Sequence, residues 1–174
     1  MAGDGDEDDN RPVAGFFGKL PSIGDFVERG LPPAFRRSWD HWLTTHIAPR
    51  ARAGARFPQG GLRFKLVSGG TTAGGVILPS RDSVGRVFPL TLLAFAGGGM
   101  QPASIDRWSD EAVAAFEPGV APEALWAMLD ALAPPKTTAA AGEPCIWLWA
   151  ANRQPEVFSD SDDGLLAGML PVAE

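Results

Sequence analysis

The sequence predicts a three-layer α/β sandwich, in which a central mixed, largely antiparallel sheet carries helices on both faces. Three observations lead there. The apolar patterns run strand, helix, several strands, two helices, strand, an order that calls for a sheet between helical layers. The middle strands follow one another through loops and not through helices, so neighbours pair antiparallel. The run CIWLW at 145–149 is continuously apolar, as expected of a central strand covered on both faces. With 174 residues, 45% of them hydrophobic, the chain has the length of one domain, and a domain of this size hides roughly 70% of its unfolded surface.

Residues 1–12 (MAGDGDEDDNRP) are polar and acidic, and read as a disordered tail ahead of a single domain over 13–174. A short strand begins near Val13 and passes through Phe16 and Phe17. Pro33 suits a first helical position, where its missing N–H has no intrahelical partner to lose. Phe35, Trp39, Trp42, Leu43 and Ile47 then line one helical face, and Pro49, which disfavours a helical Ala48, is expected to end the helix. In Leu62–Val67, apolar residues alternate with Arg63 and Lys65, the pattern of a strand with one wet face. Val76, Ile77 and Leu78 mark a second strand. Residues 87–96 mark a third, with Pro89 at an edge, a bulge or the true strand start.

Two helices come next. Ile105, Trp108, Ala112, Val113 and Phe116 share a face that Pro118-Gly119 terminates, while Pro122 opens a second helix with Leu125, Trp126, Met128, Leu129 and Leu132 as its core residues. From Val157 onward the pattern fits either an edge strand with a short helix or coil. No internal repeat is present.

Charge is divided unevenly. Residues 1–28 carry −5, residues 29–86 carry +8 and residues 87–174 carry −9, within an overall −6. The basic middle either steers an acidic partner or is neutralised by the flanking segments in the fold. Nucleic acid is disfavoured as a partner, because the bases come without a recognised motif or an overall basic balance. No apolar run approaches the ~20 residues of a membrane span, and the acidic start does not resemble a secretory signal. The single cysteine, Cys145, reads as a buried, inert thiol. These features together point to the cytoplasm.

Catalytic chemistry is thinly supplied. His41 and His46 are five apart on one helix and so point roughly 140° apart, which does not suit a shared metal. No phosphate-cradling loop or dinucleotide fingerprint occurs, and LVSGG at 66–70 has Leu66 where a nucleophile elbow needs its first glycine. No metal, cofactor or catalytic residue is expected.

Two strings stand apart. GKLPSIGDF at 18–26 packs glycine, proline, Lys19, Ser22 and Asp25 into a loop of defined shape, either a turn fixed by its own hydrogen bonds or a surface that a partner reads. LPSRDSVGRVFPLT at 78–91 places Ser80, Asp82 and Arg86 between strands. The planar fork of Arg86 suits one carboxylate, from Asp82 or Asp25, so an Asp–Arg clasp joining the two loops is one reading and a partner contact the other.

Together these strings resemble the TagF (ImpM) family associated with bacterial type VI secretion. The likeness rests on GFFGKLPSIGDF at 15–26, LPPAF with WDHW at 39–42, and PSRDSVGRVFPLT at 79–91, in the family's order and approximate spacing. It covers residues 15–95. Beyond them only CIWLWA is similar. The resemblance implies a three-layer α/β sandwich and a cytoplasmic, post-translational repressor of secretion-system assembly that binds a forkhead-associated (Fha-type) scaffold protein. Lys19, Ser22, Asp25, Ser80, Asp82 and Arg86 are the candidate motif-loop residues. The alternatives are a small hydrolase or phosphatase-like enzyme using Ser22, Ser80, Asp25 and Asp82, and a structural subunit of the machine.

Overall fold

A computed structural model describes residues 11–161 and 163–174. Apart from Arg11 and Pro12, the tail expected over 1–12 lies outside the described residues. The chain enters on β1 (Val13–Lys19), folds back through β2 (Phe26–Arg29), and crosses one face as α1 (Pro33–Trp42), a π-helical turn (Leu43–Ile47) and α2 (Ala48–Arg52). Strands β3 (Leu62–Ser68), β4 (Thr71–Leu78), β5 (Leu90–Gly97) and the short β6 (Gly99–Met100) follow. Then come α3 (Pro102–Ala115), α4 (Pro122–Ala131), β7 (Thr137–Thr138), β8 (Cys145–Ala150), β9 (Glu156–Val157) and α5 (Asp163–Met169).

The main sheet has seven strands in the order β2-β1-β5-β4-β3-β8-β9. Every pairing in it is antiparallel. Strand alternation divides its apolar residues between two cores. On one face Phe16, Val76, Leu92 and Trp149 pack against Ile105, Trp108 and Ala112 of α3 and Leu125 and Leu129 of α4. On the other, Phe17, Leu62, Phe64, Ile77, Leu93 and Leu148 meet Trp39, Leu43 and Ile47, with Leu166 and Leu170 from the C-terminal segment. These are the two helical layers of the expected sandwich.

Several local expectations change. The helix does not end at Pro49. It widens into the π-helical turn, where the Ala48 N–H donates to the Leu43 carbonyl, and continues through Pro49 to Arg52. The longer i→i+5 spacing offsets the backbone so that Pro49 opens a new helical segment, a position where its missing N–H costs nothing. Arg63 is not on a wet face. It is 1% exposed, because α3 covers that side of β3 and supplies its partners. The CIWLW strand, β8, lies one place from the sheet edge, beside the two-residue β9. Its apolar run reflects cover on both faces, Trp149 in one core and Leu148 in the other, and not a central place in the strand order. Cys145, at its start, is half-buried. Phe26, read as the end of the 18–26 loop, opens β2, a hairpin partner of β1.

The two halves of the motif region are joined through the core. Trp39 is 1% exposed, and its indole N–H donates to the Thr91 hydroxyl on β5 at 2.9 Å. Thr91→Val keeps the shape but leaves that N–H buried without an acceptor. It is expected to lower stability by about 1–3 kcal/mol, read as a lower urea midpoint with an unchanged slope.

Candidate functional site

Register brings the two motif strings to one end of the sheet. Phe17 lies opposite Thr91, Lys19 opposite Phe26, and Leu78 opposite Leu90. The end of β1, the start of β2 and the β4–β5 connection are therefore neighbours. At their junction sits the Asp82 carboxylate, whose side chain has no exposed surface. It accepts four hydrogen bonds. Oδ2 receives Lys19 Nζ at 3.0 Å and Arg86 Nε at 2.6 Å, and Oδ1 receives the backbone N–H groups of Val84 at 3.1 Å and Arg86 at 2.9 Å.

The two backbone bonds shape the connection itself. Asp82 folds 82–86 into a turn in which the Gly85 N–H donates to the Asp82 carbonyl at 3.0 Å and the Asp82 N–H to the Arg86 carbonyl at 3.0 Å. Gly85 has φ +86°, a conformation glycine adopts without steric cost. Burial by itself raises the Asp82 pKa. The hydrogen bonds from the Arg86 N–H, the Lys19 and Arg86 side chains and the Val84 N–H outweigh it, and hold the carboxyl well below the usual carboxylate range.

The same residues stitch the loops together. Arg86, bound to Asp82 through Nε, also donates from Nη2 to the Gly24 carbonyl. The Ser80 hydroxyl donates to the Lys19 carbonyl at 2.7 Å, and the Ser83 N–H to the Ile23 carbonyl at 2.9 Å. Lys19 Nζ lies 4.9 Å from the centre of the Phe26 ring. That ring packs edge-on against Phe88 yet remains 47% exposed.

Of the six residues singled out in the sequence, Lys19, Ser80, Asp82 and Arg86 thus form one cluster. The other two lie on the adjoining hairpin loop but face elsewhere. Ser22 donates to the Val120 carbonyl at 2.7 Å, tying the loop to the segment before α4, and Asp25 accepts the Phe26 N–H at 2.8 Å. Asp82, not Asp25, is the mate of Arg86. Among the described residues no group of three His, Cys, Asp or Glu side chains is arranged to hold a metal.

A second charged cluster escaped the sequence reading. Arg63 donates to Asp106 Oδ1 at 3.2 Å, to Asp110 Oδ1 at 2.7 Å and to the Gly60 carbonyl, and the Trp149 indole N–H donates to Asp106 at 2.9 Å. Its sequence signal is the pair of acids four apart on α3, which places both carboxylates on one helical face.

A carboxylate held this far down loses its stabilising interactions only in acid. Its contribution is fully present above the unfolded value of about 4 and is lost as pH falls from there toward the folded pKa. Urea midpoints taken between neutral pH and strong acid are expected to fall steeply for the wild type below that point and less for Asp82→Asn. The gap between the two midpoints at neutral pH should therefore narrow on acidification.

Comparison with known proteins gives this geometry a context. The family model for the TagF N-terminal domain, type VI secretion system-associated, matches residues 15–133, a span that includes both motif loops and their clasp. Among solved structures, the chain is similar to PA0076 from Pseudomonas aeruginosa PAO1, known from a crystal structure at 2.05 Å resolution, with 29% identity and a TM-score of 0.56. The similarity covers 72% of this chain and 64% of that one. No curated protein matches. With the family model covering more than half of its length, the chain belongs to the TagF N-terminal domain family of type VI secretion system-associated proteins.

Proposed function

We propose that the chain acts in the cytoplasm as a non-catalytic binding module, a single domain over 13–174, that represses assembly of the type VI secretion system after translation by occupying an Fha-type scaffold protein. The observation that carries this reading is how the motif side chains are used. Both hydroxyls that a hydrolase would need donate to backbone carbonyls, Ser22 to Val120 and Ser80 to Lys19. Neither is hydrogen-bonded to a base among the described residues, and the Asp82 carboxylate already has four donors. The clasp fixes the shape of two loops and leaves Phe26 and Val84, at 47% and 71% exposure, standing on the surface they form. Rigid loops that present apolar side chains suit recognition of a protein. No described helix is long and apolar enough to cross a membrane.

Deleting the protein is expected to raise secretion activity in growth states where the system is normally silent, and unchanged secretion in every state would sink the proposal. Capture of the tagged protein from its native cytosol, read by mass spectrometry, is expected to recover an Fha-type scaffold. Phe26→Asp combined with Val84→Asp should reduce that recovery while leaving the circular dichroism spectrum intact.

A further inference from the structure

The chain closes over the α1 face with a strap that runs from Phe158 to Pro171 and contains α5. Three apolar side chains seat it. Leu166 and Leu170 are buried in the core with Leu43 and Ile47, and the Phe158 ring stands edge-on to Trp42 and His46, with ring centres 5.4 and 4.9 Å away. Backbone hydrogen bonds tie the two ends to the body. The Phe158 N–H donates to the Ile146 carbonyl, and the Arg56 N–H to the Pro171 carbonyl, each at 2.9 Å. The contact between His46 and Asp160, at 3.3 Å, adds little, because the Asp160 side chain is 86% exposed.

Two features weaken the closed strap. Gly168 stands in the last turn of α5, and glycine favours a helix less than any residue but proline. Its φ is not in the left-handed region, and a Cβ added there would meet nothing within 4 Å. Neither backbone geometry nor packing calls for glycine at this position. Seven residues are also too few to hold a helix by themselves. The Gly168 and Met169 flank of α5 gains no close cover, since it faces a cavity of about 1060 Å³ that Phe57 and Pro58 also line. The second feature lies under the other end of the strap. The indole N–H of Trp42, against whose ring Phe158 packs, is buried without a hydrogen-bond acceptor among the described residues. A donor left in that state costs its full desolvation penalty.

We propose that the strap is a device that opens as a unit while the sheet and the other helices stay folded, baring the aromatic face of Trp42 and His46. Opening gives the Trp42 donor access to an acceptor, from water or from whatever meets that face. Gly168 and the stranded donor keep the closed state only modestly favoured, in keeping with the rule that segments which move are drawn from the least stable parts of a fold.

Native-state hydrogen exchange of the full chain in low urea, followed residue by residue, tests this. Three amides report on the strap: those of Phe158 and Arg56, bonded across its ends, and that of Leu170, which donates to the Leu166 carbonyl inside it at 2.7 Å. They are expected to share one opening constant, larger than that of the β4 and β5 amides by about tenfold or more, with a shallow dependence on urea. Gly168→Ala is expected to slow all three about threefold. Three unrelated constants overturn the proposal, because the segment then frays piecemeal. Constants and urea slopes equal to those of β4 and β5 overturn it too, because the strap then opens only with the whole domain. Exchange that Gly168→Ala leaves unchanged also counts against it, since the glycine is then not what loosens the strap.

Discussion

The buried carboxylate of Asp82 is the constraint on which the motif end of the molecule depends. An ionised group with no exposed surface is tolerated only when its lone pairs are satisfied, and here four donors converge on it. Two of these donors are the cations Lys19, at the end of β1, and Arg86, on the β4–β5 connection, and two are backbone N–H groups of the turn that carries Asp82 itself. Moving either loop would strand a charge inside the protein. The clasp therefore couples the β1–β2 hairpin to the β4–β5 connection, and the hydrogen bonds from Arg86 to the Gly24 carbonyl and from Ser83 to the Ile23 carbonyl follow from that coupling. A buried ion pair of this kind is weak evidence for added stability but fixes geometry well, since few other arrangements satisfy the same groups.

Around this point the two helical layers are held by different means. On the face of α1, Trp39 combines aromatic packing against Phe35, Trp42 and Phe64 with a hydrogen bond to Thr91, so one side chain anchors the helix by both area and direction. On the face of α3, the buried guanidinium of Arg63 reaches two acids one turn apart and shares Asp106 with Trp149. Close packing at this face also uses Gly74, where an added Cβ would lie 2.6 Å from Ile105 of α3. The sheet is thus pinned on both sides near the end where the motif loops emerge.

Residues with the appearance of an active site are used here to hold two loops together. Serine, lysine, aspartate and arginine are all present and close together, yet their hydrogen-bonding capacity is turned inward to backbone and to one another. The residues exposed at this end include Phe26, Val84 and Arg81 together with Ser22, Asp25 and Ser83.

Much of this was legible in the chain alone. The order of apolar patterns gave the layers, the helical faces of Phe35 to Ile47 and Ile105 to Ala112 were visible as periodicity, and the possible Asp–Arg clasp was suggested by chemistry and spacing. These are local properties, set by side-chain period and by which groups can neutralise each other. The tertiary structure decided the rest. Whether Asp82 or Asp25 takes Arg86, whether Arg63 is wet or buried, and whether the helix stops at Pro49 all depend on what a remote segment places nearby, and α3 or a widened helical turn leaves no mark within the residues it affects. The charge division shows the same limit. Sequence gives the net charge of each segment, but only the fold determines which arginines find carboxylates, because pairing requires atoms within a few ångströms and not merely opposite signs along a chain.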